Sequence, residues 1–268
     1  GAVQLQHSVG VLNLAQSTLT MHHHHHHNEA DFHGNTQGFV GRLQAYISEF
    51  VYGGIDGAVT TFAVVAGAAG AGLSTVTVLI LGFANLIADG FSMAVGAYLS
   101  AKTEDEAYQK TLDQEYWEVE NIPDVERQEI REIYQAKGFE GDLLEQVVDT
   151  ICADKDRWVD DMMKSELFLF PSNKQPIWVA LWTFISFNLV GVIPLTVYIW
   201  HATDPAGLPL FQWSAGLTAL AFMVIGYLKA KVNGQSIFRS LVETLSLGAI
   251  AAVLAYAAGD FLADWLLA

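Results

Sequence analysis

Cysteine occurs once in 268 residues, as Cys152, which excludes an internal disulfide framework and any site built from several thiolates. Histidine is missing from the whole stretch between His33 and His201; the other seven are His7 and the run His22 to His27. The central region therefore lacks the Glu-x-x-His pairs of a four-helix di-iron oxidase, the Cys and His ligands of structural zinc, and the base of a nucleophilic triad. No G-x-x-x-x-G-K-[ST] loop is present, which argues against an ATP-driven pump within the chain. Basic residues are scarce, 13 against 29 acids, and the net charge of −16 speaks against nucleic acid and suits a cationic partner. Charge of either sign is rare outside one region: residues 101–172 hold 20 of the 29 acids and 8 of the 13 bases, so the rest is nearly free of it. With 52% hydrophobic residues overall, that split suggests a chain living in two solvents, lipid and water.

Five apolar segments are long enough to cross a bilayer, at roughly 46–70, 75–100, 177–200, 212–231 and 238–266. Gly70 to Ser74, His201 to Phe211 and Lys229 to Ser236 form the turns, with Asp204-Pro205 and Gly207 as breakers in the second. All 13 Lys and Arg fall in the N-terminal tail, the charged insert with its flank, and the 229–239 turn. That bias puts those pieces in the cytoplasm and the remaining turns outside. Residues 1–41 are expected to be disordered. Within them Met21 and His22 to His27 read as an appended affinity tract, the alternative being a native metal-gathering start. No targeting segment is recognisable, so the expected membrane is a prokaryotic plasma membrane rather than a vacuolar one.

The domain reading is a tail at 1–41, a helix pair at 42–100, a helical insert at 101–172 and three more spans at 173–268. The fold class is an all-α integral membrane protein. The insert reads as three helices: Lys102 to Glu120, then Pro123 to Lys137 after the Asn121-Ile122-Pro123 break, then Gly141 to Leu169.

Asp56 and Asp89 stand inside the first two spans, where a carboxylate costs a few kcal/mol on insertion scales and usually faces a cavity. Asn85, Asp89 and Met93 share a helix face at i, i+4, i+8 and offer oxygen, carboxylate and thioether. These four residues suggest a cation path; a structural hydrogen bond for the acids and plain packing for Met93 are the alternatives. In the insert, Glu115 and Glu118, Glu126 and Glu129, and Met162 and Glu166 each share a helix face, with Met163 beside them. Clustered carboxylates suit divalent cations, and a thioether shifts preference toward softer transition metals. The alternative is an ordinary solvated acidic face.

Several stretches resemble the vacuolar iron transporter family. They are Gly54 to Gly67; Asn85 to Ser100 with its Ala88-Asp89, Ser92-Met93 and Gly96-x-Tyr98-Leu99-Ser100 elements; Gly191 to Leu195; Gly226 to Lys231; and Arg239-Ser240 with Glu243. The resemblance covers about 42–266 in the family's order. It implies five transmembrane helices, a homodimer, and a cytoplasmic three-helix metal-binding domain between the second and third. It implies export of Fe²⁺, often also Mn²⁺, from the cytosol in exchange for protons. It further implies that Glu115, Glu118, Glu126, Glu129, Met162, Met163 and Glu166 are the domain's ligands and that Asp56 and Met93 line the membrane path. Two positions depart from the pattern: Ala97 stands where many members carry Glu, and Asn85 where some carry an acid.

The expectation is thus a proton-coupled exporter of Fe²⁺ or Mn²⁺, without enzyme activity or organic cofactor. The alternative is a membrane-anchored metal sensor or buffer that moves nothing.

Overall fold

The computed structural model describes residues 45–203, Gly207 and 209–267. The expectations for residues 1–41, the tail base Arg42 and the Asp204-Pro205 breaker lie outside these. The described residues form helices α1 (Ile47–Gly70), α2 (Thr75–Asn121), α3 (Pro123–Ala136), α4 (Gly141–Cys152), α5 (Lys155–Ser165), α6 (Pro176–Gly191), α7 (Thr196–Thr203), α8 (Leu210–Asn233) and α9 (Ile237–Leu267). A single 3₁₀ turn, Ile193–Leu195, separates α6 from α7.

Five stretches are long and apolar enough to span a membrane: Ile47–Gly70, Thr75–Asn121, Pro176–Thr203, Leu210–Asn233 and Ile237–Leu266. Their outward faces fit that solvent. Ile80, Ile87, Phe91, Phe261 and Trp265 are each more than 60% exposed, an arrangement that water would penalise and lipid does not.

Helix α1 is the hub, packing on α2, α6, α8 and α9. Glycines allow these approaches. A Cβ on Gly57 would strike the Phe187 carbonyl of α6, and one on Gly259 of α9 would strike the Gly67 carbonyl of α1. Close backbone contact through small residues replaces the hydrophobic effect, which is weak between helices already surrounded by hydrocarbon. Phe62, Val65, Val78, Leu86, Phe187 and Leu195 fill the space between α1, α2 and the α6–α7 arm.

Three details differ from the sequence reading. The helix of the second span does not end near Ser100: α2 runs unbroken for 47 residues, about 70 Å, from its Ser74 cap into the charged region. No Pro or Gly interrupts Ser100 to Glu120, so nothing breaks the helix there. The expected third insert helix is two, α4 and α5. Asp154 starts the second by accepting the Arg157 amide at 2.9 Å. The third span is broken at Pro194, which has no N–H to donate and whose ring crowds the preceding turn. Its carbonyl accepts the buried Ser214 hydroxyl of α8 at 2.6 Å.

The charged end of α2 and helices α3 to α5 enclose a second apolar core of Val119, Ile130, Leu144, Val148, Val159 and Met162, among others. Ion pairs rim it: Arg127 to Asp149, Arg131 to Glu145 at 2.8 Å, and Lys155 to Glu120.

Candidate functional site

Glu115 lies one turn before Glu118 on α2, and Glu126 lies on the first turn of α3, just past the Pro123 break. Because the chain reverses at Asn121–Pro123, the two helices face each other and these residues converge. One carboxylate oxygen from each of Glu115, Glu118 and Glu126 falls within 4.8 Å of the others. Glu115 and Glu126 are 4% and 2% exposed, and Oε2 of each is buried with no hydrogen-bond partner. Glu129 and Glu166 are half-buried and close enough to act electrically on this group. Met162 and Met163, fully buried on α5, belong to the core beside it.

The electrostatics are one-sided. None of the ion pairs among the described residues involves Glu115, Glu118, Glu126, Glu129 or Glu166. Burial, then the charges of Glu118, Glu166 and Glu129, pushes the Glu115 carboxyl up to about 7. Burial, then Glu129, Glu115, Glu118 and Glu166, does the same to Glu126, also to about 7. Glu129 and Glu166 are raised for the same reasons, burial first. Buried carboxylates without a counter-charge are expensive unless protons or a cation neutralise them. The three converging carboxylates of Glu115, Glu118 and Glu126 offer oxygens of the kind a divalent ion binds.

The membrane residues form a separate group. Asp56 is half-buried on α1 and near enough to Asp89 of α2 for their charges to interact. Asp89 lies exposed on the outside of the single chain, at a depth where the surrounding side chains are apolar. Asn85 is half-buried, and its Nδ2 is buried without a partner. Met93 packs against the apolar cluster around Phe187. Met93 and Glu115 stand on one continuous helix 22 residues apart, about 33 Å along its axis. The two groups are therefore well separated along a single helix.

Sequence reasoning passed over Glu49 and Lys174. Lys174 Nζ pairs with Glu49 Oε1 at 2.7 Å, across 125 residues of sequence. One signal was available: an acid in the first turn of a membrane helix, seven residues before Asp56 and so on the same face.

A chain with five membrane-length helices, apolar outward faces and carboxylates held among them is an integral multi-pass membrane protein. It belongs to the VIT family, whose model matches residues 47–260. It is 35% identical over 255 residues to a protein of Toxoplasma gondii named Vacuolar iron transporter, covering 92% of this chain and 82% of that one. It is 35% identical over 211 residues to Vacuolar iron transporter 1 of Oryza sativa subsp. japonica, covering 78% and 82%. It is 34% identical over 213 residues to Vacuolar iron transporter 1 of Arabidopsis thaliana, covering 78% and 83%.

Proposed function

We propose that this protein exports ferrous or manganous ions from the cytosol in exchange for protons. The observation that carries this reading is the counter-ion-free glutamate group at the far end of the helix that also bears Asp89 and Met93. The insert gathers the ion through Glu115, Glu118, Glu126, Glu129 and Glu166, with Met162 and Met163 biasing the choice toward transition metals. Asp56 and Met93 pass it through the bilayer, assisted by Asn85 and Asp89. Carboxylates whose pKa lies near neutrality exchange protons for metal readily, because the two compete for the same oxygens. The names of the relatives support iron as the cargo.

The transporting unit is proposed to be a homodimer. Outward on α2, Ala84, Ala88, Ser92 and Gly96 are exposed at four-residue spacing beside the exposed Asp89. A second copy of this small-residue face would shield the carboxylate from lipid and close a polar path. The basic residues favour a cytosolic insert. The membrane is a prokaryotic plasma membrane on the sequence reading and a vacuolar one by the relatives' names; locating the tagged protein in its own cells decides between them.

Uptake of Fe²⁺ and Mn²⁺ into proteoliposomes, with and without a pH gradient, tests the reading. A protein that binds these ions but moves none of them is the sensor or buffer instead.

A further inference from the structure

We propose that Lys174 is a built-in cation that the cargo must displace at the entrance to the membrane path. This rests on the transport reading above. Glu49 sits in the first turn of α1, seven residues before Asp56, so the two carboxylates share a face about 10 Å apart along the helix axis. The Glu49 side chain is only 15% exposed. Both its oxygens are engaged: Lys174 Nζ donates to Oε1 at 2.7 Å, and the Ser48 hydroxyl donates to Oε2 at 2.8 Å.

Lys174 arrives from a telling direction. It lies eight residues after Glu166, in the irregular segment that leads from the glutamate group back to α6. One tether therefore joins a proposed ligand of the insert to an ammonium placed on the acid above Asp56. An ion leaving the insert meets a carboxylate already neutralised by a monovalent charge. A divalent ion competes for those oxygens with twice the charge, and its arrival frees the lysine.

The ion pair is not the only attachment of this segment. The Gln175 amide donates to the Tyr46 hydroxyl at 3.1 Å, so the tether stays docked when Lys174 lets go. The Ser186 hydroxyl of α6 reaches the Glu49 carbonyl at 3.4 Å, and Gly53 lies against Thr183 and Ser186, which fixes the first turn of α1 independently of its side chain. Opening the pair is thus a local event, and a partly exposed pair of this kind is weak enough to open.

The test uses the full-length protein in proteoliposomes, with Mn²⁺ as the probe. Lys174→Gln removes the competing charge and keeps the length of the side chain; Lys174→Arg keeps the charge. The expected result is a fall in KM for Mn²⁺ of up to about fivefold in Lys174→Gln, the range such a pair can supply, with Lys174→Arg near the parent. Metal-free Lys174→Gln should melt a few degrees below the parent, because the largely buried Glu49 loses its counter-charge, and Mn²⁺ should restore the loss. An unchanged or raised KM in Lys174→Gln overturns the proposal and leaves the pair a plain staple between the tether and α1. If Lys174→Gln does not fold, the staple reading is likewise established. If the parent itself shows no Mn²⁺ or Fe²⁺ flux, it is the transport reading that fails.

Discussion

Glu115 and Glu126 belong to different helices, on either side of the Pro123 turn, yet both are almost wholly buried and each keeps one oxygen without a partner. Folding has brought two like charges out of water and left them unanswered. A sequence under no functional demand would replace one of them, since an apolar or amide side chain at either place is cheaper. On the proposed reading, the cluster is a cost carried for a ligand.

That cost sets a pH dependence. Both carboxyls titrate near 7 when folded, against about 4.5 for an ordinary glutamate. A raised carboxyl binds its proton more tightly in the folded state. Its contribution is thus fully present below the ordinary glutamate range and lost as pH rises through about 7. The metal-free protein should be less stable at pH 8 than at pH 5, by on the order of 3 kcal/mol for the first of two coupled groups, and so melt at a lower temperature. Fe²⁺ or Mn²⁺ at pH 8 should restore the loss, and equal Mg²⁺ should restore little of it. Thermal melts in detergent at both pH values check this.

Glu126→Gln removes one buried charge and keeps the shape. The metal-free protein at pH 8 should gain roughly 2–5 °C in melting temperature. The shift on adding Mn²⁺ should mostly vanish, because a neutral amide is a poorer ligand than a carboxylate. A variant that loses stability and keeps its metal shift would make Glu126 a structural residue.

Met162 is completely buried in the insert core. Met162→Leu conserves volume and should cost less than about 1.5 kcal/mol. It removes the thioether, so the preference for Fe²⁺ over Mg²⁺ should narrow while binding of Mg²⁺ itself stays as it was. Competition titrations with the two ions measure the ratio.

The membrane helices were legible as helices because 20-residue apolar runs admit no other structure in lipid, where every backbone group must be paired internally. The glutamate pairs were legible by their spacing, which put Glu115 with Glu118 and Glu126 with Glu129. Their convergence was implied only by the resemblance and not by the spacing, because it depends on how sharply the chain turns at Ile122 and Pro123. The division of α4 from α5 carried a local mark in Asp154, a good helix-capping residue, and the break at Pro194 carried one in the proline. Both were masked by apolar and helix-forming neighbours that argued for continuity. The Glu49–Lys174 pair joins the first span to the end of the insert, and no local pattern announces a contact over that distance.

The packing of α1 on α9 makes a separate prediction. Gly259 lies so close to Gly67 that an added Cβ meets the Gly67 carbonyl and Cα, which are backbone and cannot swing aside. Gly259→Ala should cost about 1–3 kcal/mol, since neither helix can yield without moving as a whole. Its partner Gly67 lies at the opposite end of α1 from Glu49, where the insert's tether docks, so metal binding by the insert should be unchanged. A lower melting temperature with a normal Mn²⁺ titration is the expected pair of results.

Uptake of Mn²⁺ by proteoliposomes containing the parent or Asp56→Asn tests most directly whether metal crosses the membrane past Asp56. The parent should accumulate Mn²⁺ faster when the pH gradient drives protons the opposite way. Asp56→Asn should insert and bind Mn²⁺ at the insert as the parent does, yet its uptake should fall by at least about tenfold, toward the level of empty vesicles, since the amide keeps the shape and loses the charge that offsets the cation. Near-normal, gradient-driven uptake by a folded Asp56→Asn protein would contradict the account.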